Sequence, residues 1–225
     1  SKYANPDEEF TYFRLPWLKI ECYFYRFIVA ALETSKFLSK HDPFAQQKRD
    51  AFLSSQSKMM AIADFVEGAL AQRGAQLADS LERRKFFTHL LKVSLWANQF
   101  DLSITAGQQV ESHHDPFVGI DSLDDKILVN DMEKLLSFML CETRTSQPLD
   151  YVDIVLDNAG MELYTDLCLA MCVLEFGIAL KVRLHSKVMP WFVSDVTPID
   201  YAWTLDALGL CDNNAMRELG KLNSL

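Results

Sequence analysis

Asp157, Asn158 and Glu162 fall in one short run, Leu156-Asp157-Asn158-Ala159-Gly160-Met161-Glu162. Before it, Val152, Ile154, Val155 and Leu156 form an apolar stretch with β-branched residues, which predicts a buried parallel strand. After it, Leu163, Leu167, Ala170, Met171 and Leu174 recur at the spacing of one face of an amphipathic helix. An acid and an amide therefore sit where a strand hands over to a helix N-terminus. Ligands of open α/β sheets bind at the carboxyl ends of strands. The helix N-terminus offers unpaired amides and a partial positive charge that suit phosphate. An acid beside an amide suits a hard cation bound through oxygen.

A second turn of the same kind follows. Pro190-Trp191-Phe192-Val193-Ser194-Asp195 leads into Thr197-Pro198-Ile199-Asp200, which combines an N-cap, a proline at the first helical position and an acid in the first turn. Each acid alone could be a helix cap. On neighbouring parallel strands, Asp157, Asn158 and Asp195 would lie along one sheet edge as three oxygen ligands, with positions left for water and substrate. That is the pattern of a catalytic hard-metal site.

The elements that must position these residues divide the chain. Residues 1–103 are expected to form a helical subdomain, 104–125 a connecting loop, and 126–225 an α/β metal-binding domain, the whole forming one integrated unit. Helical periodicity runs from Pro16 through Leu18, Ile20, Phe24, Phe27, Ile28 and Leu32. The aromatics Tyr23, Phe24, Tyr25 and Phe27 are read as core and packing residues. Asp42-Pro43 reads as a helix start. Lys48 and Arg49 lie on the polar side of the helix that follows. Further helices are expected over 55–72, with Gly74 as a stop, and over 77–97. Asn98 and Asp101 follow the fourth helix as turn caps or as a second loop of the site. The loop contains His113-His114-Asp115. Adjacent histidines point in different directions, so these residues read as exposed rather than as ligands. Lys126–Asn130 reads as a strand, with Asp131 capping the next helix, and Leu180, Val182 and Leu184 alternate as another strand. Strand and helix alternation predicts a right-handed parallel α/β unit. Lys181, Arg183 and Lys187 alternate along or follow that strand and are expected to face solvent, and Arg26 to pair with an acid.

Composition excludes several classes. The chain has 225 residues and a formal net charge of −9, which argues against a nucleic-acid binder. Glu82-Arg83-Arg84-Lys85 is read as a solvated helix face. Hydrophobic residues make up 49%, too many for disorder, yet charges interrupt every apolar stretch short of a membrane span. No signal peptide is expected, and the chain opens on Ser1 rather than Met, as a processed product or fragment would. The five cysteines, Cys22, Cys141, Cys168, Cys172 and Cys211, are odd in number and irregularly spaced. A disulfide framework is not expected, and a reducing, cytoplasmic setting is. Cys168 and Cys172 read as buried core thiols rather than metal ligands.

Four motifs occur together in order: Leu15-Pro16-Trp17 with Glu21-Cys22-Tyr23-Phe24-Tyr25-Arg26, Trp96 through Ser103, Leu156 through Leu163, and Pro190 through Asp195. Over residues 10 to 200 the chain resembles the damage-control phosphatases, metal-dependent hydrolases of phosphate monoesters. The resemblance is to the sugar-phosphate branch related to the protein also called acidic residue methyltransferase. It implies a helical N-terminal part and a Rossmann-like three-layer α/β unit with a mostly parallel sheet. It implies a manganese, cobalt, nickel or magnesium ion held by Asp157, Asn158 and Asp195. Glu162 matches a substrate-contacting position, and Asn98 and Asp101 match a motif lining the same cleft. The implied substrates are small phosphorylated metabolites such as fructose 1-phosphate. The family's pattern continues past Leu225, and its later part supplies basic residues, a lysine among them, that bind phosphate. The phosphate-binding cations are accordingly expected outside this chain.

Two other readings stand beside this one. The first is a protein carboxyl methyltransferase using S-adenosylmethionine, although Gly160 is the sole glycine of its turn and a cofactor loop needs several. The second is an inactive metal-binding fragment. Asp157 could attack phosphorus or only hold the metal. Ala159 replaces the second acid that an aspartate-nucleophile phosphatase of the haloacid dehalogenase type requires, which disfavours attack. The sequence leaves the oligomeric state open.

Overall fold

The run after Gly160 becomes the central helix, α6 (Met161–Glu175). Every residue from Met161 to Val173 except Glu162 is buried. The expected single apolar face is therefore corrected: a helix this apolar all round is enclosed on every side. The structure, a computed structural model, describes residues 13–72, 80–102, 120–140 and 147–221. Residues 1–12, Gly74, Cys141 and the loop over 103–119 with His113-His114-Asp115 lie outside them.

Helices α3 (Gln56–Gln72), α4 (Ser80–Leu102) and α8 (Asn214–Gly220) and strand β2 (Val182–His185) pack around α6. Met59, Ile62 and Val66 of α3, Phe87, Leu90 and Val93 of α4, and Leu163, Leu167 and Cys168 of α6 belong to one core. Phe52 of α2 (Ala45–Ser54) and Leu205 and Leu208 of α7 (Pro198–Gly209) complete it. Each such side chain stabilises the fold by about 1.5–3 kcal/mol on burial. The Tyr164 hydroxyl, buried on α6, donates to the Met59 carbonyl at 2.9 Å, so the polar atom of this large, fully buried side chain is satisfied.

Strand β1 (Val152–Val155) pairs in parallel with β2, with Val152 opposite Val182 and Val155 opposite His185. The chain is thus α/β, mostly helical, with a two-stranded parallel sheet among the described residues. Two expectations for the sheet are corrected. Burial alternates along β1, and Val155 is 75% exposed, so the sheet is covered on one face. Lys126–Asn130 is not a strand. Ile120–Lys126 is a 3-10 helix, and Leu128 beyond it is fully exposed. Three apolar residues with no strand edge to join do not hold an extended pairing. Asp131 does not cap α5 (Met132–Met139) with its side chain; the Asn130 carboxamide accepts from the Met132 amide instead, at 3.0 Å.

Helix α1 (Trp17–Glu33) buries Tyr25 and Val29, while Tyr23, Phe24 and Phe27 are exposed, against the expectation of a packed aromatic face. Arg26 pairs with Glu33 at 3.3 Å, as expected. Arg84 is not part of a merely solvated run: it reaches Glu133 and Ser137 on α5.

Candidate active site

The turn after β1 and the segment just before α7 meet through main-chain bonds. The Val196 amide donates to the Asp157 carbonyl at 2.8 Å, and the Ala159 amide to the Ser194 carbonyl at 2.7 Å. Asn158 and Asp195 form an antiparallel bridge. Asp157, Asn158 and Asp195 are thereby brought together beyond the carboxyl end of β1, with Asp195 reaching the site through an antiparallel bridge rather than from a neighbouring parallel strand. Glu162 joins them from the first turn of α6. The Asn158 carboxamide nitrogen donates to Asp157 Oδ2 at 3.1 Å and to Glu162 Oε2 at 2.9 Å, while its oxygen accepts from the Ser194 hydroxyl at 2.5 Å.

Gly160 makes this turn possible. Its φ is +82°, a region that L side chains avoid, and an added Cβ would lie 3.6 Å from Ala51 and from the Phe52 nitrogen. The turn before Asp195 is also strained: Phe192 and Val193 have φ of 43° and 68°. For β-branched Val193 that is a genuine outlier, of the kind that persists where surrounding structure holds it. Here Tyr25 packs against Phe192 and Trp191 at ring distances of 5.3 and 6.1 Å.

Two lysines that sequence reasoning missed complete the site. Lys187 Nζ lies 3.1 Å from Asp195 Oδ2 and 3.6 Å from Asp157 Oδ1, and donates to the Leu156 carbonyl at 3.3 Å. It does not simply face solvent. Lys48, expected on a polar face, is buried and donates to Asp42 Oδ2, Asp200 Oδ2 and the Asp195 carbonyl at 2.9, 2.7 and 2.9 Å. Asp200 also closes the capping box with Thr197. Asp42 accepts from the Phe44 amide at 2.8 Å as well as from Lys48, and α2 itself begins at Ala45. Lys48 thus ties α2 to the segment that carries Asp195. Arg183 instead grips Asp153 on the outer sheet face, at 2.6 and 2.7 Å, and lies over the Tyr151 ring.

Burial pushes the Asp195 carboxyl above the ordinary aspartate range, against the pull of Lys187. Burial likewise raises Glu162. One turn further along α6, Asp166 is raised by burial to about 7 and accepts from the Ser94 hydroxyl of α4. Helix α4 runs antiparallel to α6, since Phe87 meets Phe176 while Ser94 meets Asp166. Asn98, exposed near the end of α4, is therefore level with Glu162. Asp101 lies in the last turn of α4, and its side chain is outside the described residues.

Asp157, exposed, and Asp195, buried, converge on one cation, the Lys187 ammonium. Two carboxylates and an adjacent amide form a donor set that fits a hard divalent ion. Among the described residues no cluster of three or more His, Cys, Asp or Glu side chains could hold a metal, so such a site would draw on Asn158. A separate cavity of about 350 Å³, lined by Val29, Leu32, His41, Asp42, Pro190 and Ile199 among others, includes neither Asp157 nor Asp195 in its walls.

Comparison with known proteins identifies the family of the chain. A family model described as the damage-control phosphatase ARMT1-like domain matches residues 3–222. The protein named damage-control phosphatase ARMT1 from Xenopus laevis is 38% identical over 220 residues, which cover 96% of this chain and 49% of the relative. Its namesake from Danio rerio is 36% identical over 198 residues, covering 87% and 44%. The one from Homo sapiens is 34% identical over 216 residues, covering 95% and 48%. The chain spans about half the length of the curated relatives it matches. With the family model matched over nearly all its residues, the chain belongs to the damage-control phosphatase ARMT1-like domain family.

Proposed function

We propose that this chain carries the metal-binding part of a metal-dependent phosphatase that hydrolyses phosphate monoesters of small metabolites, sugar phosphates such as fructose 1-phosphate among them. The observation that carries the reading is the convergence of Asp157 and Asp195 on one cation beside the N-terminus of α6. Asp157, Asn158 and Asp195 would hold the ion, and manganese, cobalt, nickel and magnesium all suit the oxygen donors. When bound, the ion supplies Lewis acidity toward a phosphoryl oxygen.

The chain's own residues do the rest. The Leu163 amide is taken by the Asn158 carbonyl at 3.1 Å, whereas the Met161 and Glu162 amides, at the start of α6, are placed to donate to phosphoryl oxygens. Asn158 spaces Asp157 from Glu162 through its carboxamide nitrogen. Glu162, raised by burial, can hold a proton nearer neutrality than an exposed glutamate can, and would contact substrate. Asn98 and Asp101 would line the cleft from the end of α4. No helix among the described residues is long and apolar enough to cross a membrane. We place the activity in the cytoplasm on the free thiols Cys22, Cys168, Cys172 and Cys211.

The test is a phosphatase assay at natural length with sugar phosphates, with and without added metal. Activity should depend on metal, vanish with chelator and fall in Glu162→Gln with metal binding retained. Activity indifferent to chelator, or tight binding of S-adenosylmethionine with no phosphatase activity, would exclude the reading.

A further inference from the structure

We propose that Lys187 is a substrate-binding residue of this site, turning its ammonium to the phosphoryl oxygens of the substrate. The proposal rests on the phosphatase reading above. Lys187 follows β2, and its amide donates to the Val196 carbonyl at 2.8 Å, so its backbone is anchored where the two strands end. Its ammonium already reaches both candidate ligand carboxylates and the Leu156 carbonyl.

Charge explains the need for it. A divalent ion on two carboxylates carries no net charge, and a phosphate monoester is an anion. A phosphoryl group in transfer spreads charge over its oxygens and is ordinarily met by a metal together with positive side chains. Lys187 adds a positive charge beside the two ligand carboxylates without any further element. Its side chain is about one-third exposed (34%), and a lysine with three donors on a flexible stem can change partners there.

The other cations near the site are less available. Lys48 is surrounded by three acceptors within the protein. Arg183 is held by both oxygens of Asp153. Lys181 stands before β2, at the end of the strand opposite the site.

The experiment uses the natural-length protein with Lys187→Met, Lys187→Arg and, as a second neutral variant should methionine not fold, Lys187→Gln. Calorimetry measures Mn(II) binding, then inorganic phosphate binding to the Mn(II)-loaded protein, and steady-state kinetics separate KM from kcat. The neutral variants should keep Mn(II) and lose phosphate affinity by about 10-fold or more, the scale of one charged hydrogen bond. KM should rise more than kcat falls, and arginine should restore part of the loss. Unchanged phosphate affinity in a folded neutral variant overturns the proposal. Tighter Mn(II) with unchanged phosphate would make Lys187 a competitor of the metal, and lost Mn(II) binding would make it part of the cation site; either result overturns it as well. An unmodified protein that binds neither Mn(II) nor phosphate would defeat the phosphatase reading itself.

Discussion

Lys48 and Lys187, like Lys92, each stand between two aspartates, but the first two do opposite things at the site. Lys48, between Asp42 and Asp200, has a side chain only 3% exposed. Lys187, between Asp157 and Asp195, faces one acid that is buried and one that is 63% exposed. The two clusters touch, because Lys48 also holds the carbonyl of Asp195. A sealed cluster with every donor used is a fixed joint. A half-open one can exchange its cation. The closed joint supports the open site: α2 and the cap of α7 are locked together, which holds Asp195 opposite Asp157.

Breaking the closed joint should have the largest effect. Lys48→Met leaves Asp42 and Asp200 buried without a counter-charge and should destabilise the protein by about 3–5 kcal/mol in urea denaturation. Metal affinity should fall with it, because the Asp195 segment loses its tether. The same substitution at Lys187 should change stability by under about 1 kcal/mol, since partly exposed ion pairs contribute little. Equal losses at the two lysines would erase the distinction.

Gly160→Ala sharpens the comparison from the open side. It forces a side chain into a positive φ at the turn that aligns Asn158. A loss of about 1–3 kcal/mol is expected, with weaker metal binding. A variant as stable as the parent would show that the turn relaxes freely.

Asp166 is a third arrangement, a buried acid met by a hydroxyl rather than an ammonium. Its folded-state value of about 7 lies above the ordinary aspartate value of 3.8. The folded protein therefore keeps a proton that the unfolded chain releases, and the contribution of this group to stability is full below about pH 4 and is lost as pH rises through about 7. Asp166→Asn should flatten that decline and be the more stable form at pH 8, measured by denaturant midpoints from pH 5 to 8. An unchanged pH slope would mean that the carboxyl is ionised in the fold. The smallest effect should come from Arg183→Ala. Its paired contacts to Asp153 are short but exposed, and no measurable shift in the unfolding midpoint is expected.

The readable parts of the sequence were those written in local order. Apolar spacing gave α3, α4 and the β1–α6 turn, and Thr197-Pro198 with Asp200 marked the start of α7, where the full capping box forms. Asp157-Asn158 was legible because a strand, two polar residues and a glycine occur within one short run. The lysines were not. Lys48 meets two of its three partners 147 and 152 residues away, and periodicity says nothing about which polar residue will be buried by an element that far along the chain. Lys187 follows a strand whose residues alternate, and alternation stops at the strand end, so its direction was open to misreading. Ile127–Val129 carried a strand's composition, but strand formation needs an edge to pair with, which composition does not report.

The central claim is that Asp157 and Asp195 bind one divalent ion together. A calorimetric Mn(II) titration of the natural-length protein beside Asp157→Ala and Asp195→Ala, with Asp153→Ala as control, tests it directly. The account predicts one ion bound by the parent and by the control, with affinity lower by at least about 10-fold (roughly 1.4 kcal/mol) in each site variant. Parental affinity in both site variants would contradict it.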